Sequence, residues 1–374
     1  MKSIRTKVLV VGGGPGGAIA ARSLARQGLD TLLLEKNLSF VKPCGGGIPS
    51  TAFDELQLPA LSNITYVDTI KIVSPGDDLV AIRLKGASIA IVRRGDFDTS
   101  LRREAEKLGG RLLEGEFRYF VDVGKTITSE VSTDGNNIQI KADYVIAADG
   151  VNSRVRAALH IKPVYACLTL TGKIKEDKTD CCEFWFSSSH APRFYSWVFP
   201  QEEGISFGTG TLNFREIKAL WQRFFERRAW KTNRIYAEKN GIPLRGYRVP
   251  LWQGDLYTRD RILFVGDAAG QVMPLTYEGI YYAMKSGEIA AATIAEGRIG
   301  NYKKLWERSF GRRFSIMKRL GEHFLTDDNQ TERLIQFCKI PEVQNAAIRL
   351  WLKKEPGRKS LLSYIHALKG LFIH

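Results

Sequence analysis

The feature that most constrains the fold is a run of glycines directly after a short apolar segment near the N-terminus. Residues 7–11 are Lys-Val-Leu-Val-Val, and Gly12-Gly13-Gly14-Pro15-Gly16-Gly17 follows at once. The apolar segment predicts a buried strand, and residues 18–27 predict a helix that the glycines join to it. Residues 29–35 predict a second strand. Together they predict the opening βαβ unit of a doubly wound parallel sheet.

The glycines fit the pattern G-x-G-x-x-G, which binds dinucleotides in such units. Gly12 allows the tight turn, Gly14 allows a pyrophosphate to approach the backbone, and Gly17 allows close contact between helix and sheet. The helix N-terminus then faces the phosphates. Glu35 ends the second strand, at the spacing expected of a carboxylate that binds a ribose hydroxyl. An acid at this place favours FAD or NAD over NADP.

Two later apolar segments also end in acidic residues. Asp149-Gly150 follows one predicted strand near residue 145, and Gly266-Asp267 follows another near residue 263. Because ligands of open parallel sheets bind beyond the carboxyl ends of the strands, both aspartates are expected to approach one cofactor. Asp267 suits the ribityl chain of FAD, whose hydroxyls can donate to a carboxylate.

Sheet-forming sequence separates these cofactor-binding segments. Residues 64–92 alternate between apolar and polar, and residues 164–212 are rich in aromatic and β-branched residues. We therefore predict an α/β fold, in which an interrupted Rossmann-type domain that binds FAD or NAD carries an inserted antiparallel α+β sheet domain for substrate and a helical C-terminal region. The predicted bounds are 1–63, 93–160 and 250–300 for the first domain, 64–92 and 161–249 for the second, and 301–374 for the basic C-terminal region.

The motifs, in this order, resemble a known superfamily. Together with an R-x-x-F-D-x-x-L segment that begins at Arg94, they resemble the flavoproteins of the para-hydroxybenzoate hydroxylase fold. Two segments narrow the resemblance to geranylgeranyl reductases. Residues 42–48 (Lys-Pro-Cys-Gly-Gly-Gly-Ile) resemble their P-C-G-G-G segment, and residues 194–200 (Phe-Tyr-Ser-Trp-Val-Phe-Pro) are similar to their Y-x-W-x-F-P motif. The resemblance covers about residues 5–300.

The resemblance implies further residues at the cofactor. It implies that Arg94 contacts FAD, and that Gly279 and Ile280 offer backbone N–H groups to the pyrimidine edge of the flavin. Both lie in a segment similar to P-x-T-G-E-G-I, in which Tyr277 replaces the family's glycine. If that position requires a positive φ, tyrosine is strained there, and either the loop or the substrate differs from that of the family.

The resemblance also implies a substrate site. Cys44 lies near the flavin in this family, where a thiol could donate a proton or position the substrate; a small buried thiol in a tight turn is the equal alternative. Tyr195, Trp197 and Phe199 could line a channel for a prenyl chain. Alternation along a strand places these three on one face, although aromatic residues on strands more often belong to the core.

The activity that the resemblance implies is an FAD-dependent reduction of carbon–carbon double bonds in a geranylgeranyl or related isoprenoid chain, on a lipid or a diphosphate. Reduced flavin supplies a hydride, and a proton completes saturation. No second G-x-G-x-x-G occurs, so the reductant is expected to dock transiently, as NAD(P)H or as a ferredoxin-like carrier.

Two alternatives stay open. The first is a monooxygenase or halogenase of the same fold. The lack of a G-W-x-W-x-I-P segment argues against the halogenase. The second is a prenyl-binding protein without catalysis, against which the intact glycine loop, Glu35, Asp149 and Asp267 argue.

Charge and composition limit the partners. The net charge is +15, and residues 301–374 contain 15 Lys and Arg against 7 Asp and Glu. Such a surface attracts phosphates of a substrate or an anionic membrane, or an acidic carrier protein, unless it is simply a solvated face. No zinc-finger or RRM signature predicts nucleic acid binding, and no H-E-x-x-H or C-x-x-C predicts a metal site.

Cysteine content and the lack of a signal sequence favour a cytoplasmic protein. Five cysteines are an odd number, which suits a reducing compartment, and neither a signal peptide nor an apolar run of membrane-spanning length is evident. Near the C-terminus Leu361, Ile365, Leu368 and Phe372 recur at helical spacing. They predict a helix that packs on its own domain or lies on a membrane surface, which leaves peripheral membrane contact open.

Overall fold

The computed structural model describes residues 3–232, 242–254 and 256–353. Within them the chain forms two compact units. The first unit contains residues up to Val41, Arg94–Ala166 and Val249–Met317, and the second contains Lys42–Arg93, Cys167–Arg248 and residues from Lys318 onward. Each unit is assembled from segments that are far apart in sequence, as expected of an interrupted cofactor domain with an insert. The domain bounds given above stay a prediction.

The elements are numbered along the chain. The strands are β1 Ser3–Val11, β2 Thr31–Glu35, β3 Gly47–Pro49, β4 Ile64–Val67, β5 Thr69–Val73, β6 Leu79–Arg83, β7 Ile89–Val92, β8 Arg111–Glu114, β9 Glu116–Val123, β10 Ile127–Thr133, β11 Asn136–Ala147, β12 Ala166–Ile174, β13 Cys182–Trp185, β14 Ser196–Pro200, β15 Ile205–Thr211, β16 Arg245–Pro250, β17 Thr258–Arg259 and β18 Ile262–Phe264. The α-helices are α1 Pro15–Arg26, α2 Thr51–Glu55, α3 Arg94–Lys107, α4 Arg154–Ala158, α5 Ile217–Thr232, α6 Ile280–Ala295, α7 Tyr302–Trp306, α8 Arg312–Phe324, α9 Asp328–Phe337 and α10 Pro341–Trp351. Residues Gly266–Ala269 and Ile299–Asn301 form 3-10 turns, and Glu307–Gly311 forms a π-helical turn.

The first unit is built on a sheet whose main strand order is β17-β18-β11-β1-β2-β8. β1 runs parallel to β11 and β2, while β18 runs parallel to β11 and β8 to β2. Residues 8–10 at the centre of β1 are completely buried. Because these strands are parallel, their carboxyl ends meet at one edge, which confirms the doubly wound arrangement predicted from the glycine loop.

The second unit contains the antiparallel insert. Its larger sheet has the order β16-β12-β15-β14-β13-β5-β6. A separate small antiparallel sheet has the order β3-β7-β4. In the larger sheet β15 pairs antiparallel with β12 and β14, β13 with β14, and β5 with β6, whereas β13 and β5 are parallel. Helix α5 covers one face, where the rings of Phe207 and Phe224 stack with centroids 4.4 Å apart. The fold class predicted from the sequence is therefore confirmed.

The described part of the C-terminal region, residues 301–353, is helical, as predicted. In the first unit Trp306 of α7 is completely buried and packs edge-on against Tyr282 of α6. In the second unit Asp328 of α9 accepts hydrogen bonds from the backbone N–H and the hydroxyl of Ser188, at 2.6 and 3.0 Å. The apolar series from Leu361 to Phe372 lies outside the described residues.

Within the described ranges, no helix has both the length and the apolar character needed to cross a membrane. No cluster of His, Cys, Asp or Glu in the same ranges could hold a metal ion. The five cysteines all lie in the described part of the chain and form no disulfide.

Candidate functional site

The glycine loop of the first unit has two positions that only glycine can occupy. Gly12 has φ +105°, and a Cβ there would overlap the carbonyl group of Ala148 at the end of the neighbouring strand β11. A Cβ on Gly17 would overlap the carbonyl oxygen of Gly12. These two glycines therefore let α1 start tightly against the sheet, as the sequence pattern predicts.

Gly14 is glycine for a different reason. Its φ of −69° is open to any residue, and no protein atom lies within 4 Å of the place where its Cβ would be. It directly precedes α1, whose first N–H groups have no partners within the helix. A helix N-terminus with an uncovered backbone approach fits the pyrophosphate of a dinucleotide such as FAD.

Glu35 holds the glycine loop through its carboxylate. Its Oε2 accepts a hydrogen bond from Gly13 N at 2.6 Å, and its Oε1 accepts one from Asn37 N at 3.0 Å. A carboxylate has about four acceptor positions. Glu35 can therefore keep these bonds and still accept one from a ribose hydroxyl.

Arg102 of α3 also holds this loop, and no sequence motif predicted it. The buried guanidinium donates to Gly13 O at 3.2 Å and to Leu38 O at 3.0 Å, and also to the hydroxyl of Thr99 at 2.9 Å. No local motif marks it, because its partners lie 64 and 89 residues away along the chain.

Arg94, at the start of the same helix, is also buried. It forms two parallel hydrogen bonds with Asp98, from Nε to Oδ1 at 3.0 Å and from Nη2 to Oδ2 at 2.8 Å. The planar guanidinium is thereby held in one orientation. The R-x-x-F-D segment thus contains its own positioning carboxylate.

Asp149 follows β11 at the same sheet edge. Its Oδ2 accepts a hydrogen bond from Val155 N at 3.0 Å, in the first turn of α4, and burial raises the pKa of its carboxyl. Gly150 has φ +83°, which glycine adopts without strain. Gly150 therefore lets the chain turn, and Asp149 accepts from the first turn of α4, whose N-cap is Ser153.

Gly266 and Asp267 form a tight turn after β18. A network of buried polar side chains, which the sequence did not predict, holds this turn. Gly266 N donates to Gln271 Oε1 at 2.8 Å and to Ser286 Oγ at 3.0 Å. Gln271 in turn donates from Nε2 to the hydroxyl of Tyr302 at 3.1 Å. Gln271, Ser286 and Tyr302 are all completely buried, so they fix the turn that carries Asp267.

The loop before α6 has an unusual backbone. Leu275 has φ +75° and Tyr277 has φ +51°, so the position at which the family has glycine does lie in the left-handed region. Hydrogen bonds from Tyr277 N to Met273 O and from Met273 N to Glu278 O, both 2.9 Å, close the loop. A tyrosine is tolerated here at a cost in backbone strain, and such strain is concentrated at functional sites.

Glycines also bring the starts of α1 and α6 together. A Cβ on Gly16 would lie 2.9 Å from Ala283 O, and one on Gly287 would overlap Gly16 O. A Cβ on Gly279, which directly precedes Ile280 and α6, would lie 3.7 Å from Asp267 Oδ1. The structure thus assembles Gly14, Glu35, Asp149, Asp267 and Gly279 on one unit, around the carboxyl edge of its sheet.

The other predicted residues lie in the second unit. Tyr195 and Phe199 both pack edge-on against Phe184, with ring centroids 5.2 and 5.4 Å away. The ring of Trp197 covers Gly208, where a Cβ would lie 2.7 Å from Trp197 Cη2. Tyr195, Trp197 and Phe199 therefore share the face of the sheet that is opposite α5, as alternation predicted. We call this the aromatic face.

The glycines that follow Cys44 contact the aromatic face. A Cβ on Gly45 would lie 2.7 Å from Phe199 Cε2, and one on Gly47 would lie 3.2 Å from the same atom. Gln201 donates from Nε2 to Gly45 O at 3.3 Å. Cys44 itself is half-buried. The two segments that resemble geranylgeranyl reductases are thus in direct contact within one unit.

Comparison with known proteins agrees with this geometry. The family model described as an FAD binding domain matches residues 5–297. The chain is 31% identical to geranylgeranyl diphosphate reductase from Synechocystis sp., over 93% of this chain and 92% of that protein. It is 28% identical to digeranylgeranylglycerophospholipid reductase from Methanothrix thermoacetophila, over 94% and 95% of the two chains.

A solved structure supports the fold. The crystal structure of a geranylgeranyl bacteriochlorophyll reductase-like protein from Thermoplasma acidophilum superposes with a TM-score of 0.83 over 99% of both chains, at 24% sequence identity. The family model covers most of this chain, and the relative from Synechocystis is similar along nearly its full length. The chain therefore belongs to the FAD-binding flavoproteins and, among them, to the geranylgeranyl reductase family.

Proposed function

We propose that the protein is an FAD-dependent reductase that saturates carbon–carbon double bonds of a geranylgeranyl or related isoprenoid chain, carried by a lipid or a diphosphate. The observation that carries the proposal is the contact of the Cys44–Gly47 segment with Phe199 on the aromatic face. Both segments resemble those of geranylgeranyl reductases, and relatives named for reduction of geranylgeranyl groups match over more than nine-tenths of the chain.

The first unit would hold FAD through residues that serve distinct parts of the cofactor. Gly12, Gly14 and Gly17 would shape the pyrophosphate site at the start of α1, and Glu35 would accept from the ribose. Arg94, Asp149 and Gly150 would line the same edge. Asp267, next to Gly266, would accept from the ribityl chain, while Gly279 and Ile280 would donate to the pyrimidine edge. Bound FAD supplies hydride transfer.

The second unit would hold the hydrocarbon. An isolated double bond is a poor electrophile, so its reduction requires close positioning and exclusion of water. Tyr195 and Trp197 are each less than one-tenth exposed and offer broad apolar surfaces. Cys44, in the segment that touches Phe199, would hold a proton at Sγ for the second half of the addition.

We also propose that the reductant and a membrane or carrier protein bind at the surface of the protein. The reductant, NAD(P)H or a ferredoxin-like carrier, would dock transiently, because the chain has one glycine-rich dinucleotide motif. The excess of positive charge in residues 301–374 would favour an acidic carrier or the anionic surface of a membrane from which lipid substrates are taken.

The test is a single turnover without oxygen. The purified flavoprotein is reduced anaerobically and mixed with geranylgeranyl diphosphate or a geranylgeranylated lipid, while flavin absorbance and product mass are followed. Return of the oxidised spectrum together with gain of hydrogen pairs in the product supports the proposal. Reduced flavin that persists until air is admitted, with formation of an oxygenated product, would support a monooxygenase instead.

A Cys44→Ser variant tests the thiol in the same assay. We expect the variant to retain FAD but to reoxidise more slowly with substrate, because a hydroxyl gives up its proton much less readily than a thiol. Equal rates in the two proteins would assign Cys44 a purely structural role in the tight turn of the chain that contains it.

A further inference from the structure

A small group of buried polar side chains lies on the aromatic face. Gly208 of β15 pairs with Thr171 of β12 on one side and with Trp197 of β14 on the other. Ser206 is two residues before Gly208, so it points to the same face, and it pairs with Phe199. Directly opposed residues in a sheet have Cβ atoms about 5 Å apart. Thr171, Trp197 and Ser206 therefore surround Gly208 within one small area.

The polar atoms of these three side chains are buried and have no hydrogen-bond partner among the described residues. They are Thr171 Oγ1, Trp197 Nε1 and Ser206 Oγ. Thr171 and Trp197 are 6% and 7% exposed, and Ser206 is fully covered. Most buried polar side chains in folded proteins are hydrogen-bonded, so three unpartnered groups around one glycine require an explanation.

On the opposite face of the same strands the described hydroxyls are partnered, although Trp221 Nε1 of α5, which packs there, is also buried without a partner. There Ser196 donates to Thr209 Oγ1 at 2.8 Å, and Thr209 donates to His190 O at 2.7 Å. Thr169, which shares the aromatic face and lies two residues before Thr171 on β12, donates to Tyr247 O at 2.9 Å. Among the described residues of this sheet, the buried hydroxyls without a partner are those of Thr171 and Ser206, on the face that we propose contacts the substrate.

The chemistry of the three groups defines what they can bind. The indole N–H only donates, whereas each hydroxyl can donate and accept. All three are neutral, and Lys173, which pairs with Ser206, is exposed. A buried anion would need a buried positive charge beside it. The ligand atom must therefore accept a hydrogen bond from the indole N–H, bond to a hydroxyl and carry no charge. A neutral oxygen meets these three requirements.

We propose that Thr171, Trp197 and Ser206 form a polar subsite on the aromatic face that binds one neutral oxygen. The oxygen comes either from the oxygen-bearing end of a prenyl compound or from a bound water. In the first case the subsite determines which end of the substrate lies here, because a hydrocarbon cannot pair with these groups. The assignment of the prenyl source rests on the proposed function, whereas the subsite itself does not.

The test compares two ligands of the holoenzyme. Dissociation constants are measured for geranylgeraniol and for the hydrocarbon of the same length that lacks the hydroxyl. If the oxygen is the substrate's, the wild-type protein binds the alcohol about tenfold more tightly, the factor expected of one well-formed hydrogen bond. The variants Thr171→Val and Ser206→Ala lose this preference and keep the affinity for the hydrocarbon.

Ser129→Ala is the matched control. Ser129 Oγ is likewise buried and without a partner among the described residues, but it lies on β10 of the first unit. Its removal should leave both dissociation constants unchanged. Equal thermal unfolding midpoints of the variants would show that the sheet is intact.

A crystal structure of the ligand-free holoenzyme distinguishes the second source. An ordered oxygen within hydrogen-bond distance of two of the three atoms, together with equal affinities for alcohol and hydrocarbon, assigns the subsite to water. Equal affinities without such an oxygen would overturn the proposal. If neither prenyl compound binds and no product forms, the proposed function fails, while an ordered oxygen would still support the subsite.

Discussion

Arg227 of α5 donates a hydrogen bond from Nη1 to Nε2 of His190, at 3.0 Å. Because a guanidinium can only donate, His190 carries its proton on Nδ1, which donates to Ser196 Oγ at 2.8 Å. Arg227 is itself held by Asp77, whose Oδ1 lies 2.6 Å from its Nη2. A neutral imidazole thus connects a partly buried ion pair to the strand residue between Tyr195 and Trp197.

This arrangement predicts a pH dependence of stability. Burial, and then the charge of Arg227, lower the pKa of His190 from 6.5 to about 3. The unfolded state therefore binds the proton first. The stability that neutral His190 contributes is complete above pH 6.5 and is lost as the pH falls toward 3. We expect the free energy of unfolding, measured by urea denaturation, to fall with pH across this window. The slope should correspond to at most one more proton bound by the unfolded state than by the folded state.

A pair of variants tests whether His190 is the group that causes this pH dependence. His190→Gln should remove that part of the pH slope, because glutamine does not titrate. His323→Gln, at an exposed position, should leave the slope unchanged. A slope that survives in His190→Gln would place the titrating group elsewhere.

Gly14→Ala and Gly17→Ala separate cofactor binding from folding. A Cβ on Gly14 meets no protein atom and φ is −69°, so this variant should keep the wild-type unfolding midpoint without cofactor but bind FAD at least tenfold more weakly. A Cβ on Gly17 would overlap Gly12 O, so that variant should be destabilised even without FAD. Flavin fluorescence titration and thermal unfolding report the two effects. Unchanged affinity of Gly14→Ala would contradict the pyrophosphate assignment.

Gly45→Ala should weaken the second unit through Phe199. The new Cβ would lie 2.7 Å from Phe199 Cε2, closer than carbon atoms approach, so we expect a loss of about 1–3 kcal/mol in the free energy of unfolding. Phe199→Leu removes the ring and should restore part of this loss in the double variant. A double-mutant cycle measures the coupling energy. Additive effects would show that the Cys44 segment does not rest on Phe199 in solution.

Arg228 is the cation of a buried ionic cluster in the second unit. It is 1% exposed, forms an ion pair with Asp177, and bonds both carboxylate oxygens of Glu183 at 3.3 Å. Arg228→Met leaves both carboxylates without this cation, so we expect a loss of about 3–5 kcal/mol. Arg223→Met, at an exposed position on the same helix, should change stability by about 0.5 kcal/mol or less. Similar urea midpoints for the two variants would disprove the importance of the cluster.

The strained loop residue Tyr277 offers a fifth test. Tyr277→Gly and Tyr277→Ala both remove the ring, but only glycine adopts φ +51° without strain. The glycine variant should therefore be about 1 kcal/mol more stable than the alanine variant, a difference that thermal unfolding can resolve. Equal stabilities would mean that the loop relaxes to negative φ once the side chain is gone.

Much of the cofactor-binding edge was predictable because its signals are local. Gly12, Gly17 and Glu35 lie within one βαβ unit, in which a fixed spacing corresponds to a fixed geometry. The face shared by Tyr195, Trp197 and Phe199 followed from the two-residue period of a strand. In each case the prediction rests on residues close in sequence or on the regular repeat of one element, even where the contact itself, as between Gly12 and Ala148, joins distant segments.

The sequence by itself determined the fold class, the order of the segments and the chemistry of the cofactor, because short-range periodicity and motif spacing specify each of them. Only the tertiary structure revealed that Arg102 clasps the glycine loop, that Gln271 and Tyr302 fix the turn of Asp267, and that Thr171 and Ser206 face Trp197. These side chains belong to no motif. They act through hydrogen bonds and strand register with partners from other segments, and such pairings are set only when distant parts of the chain pack together.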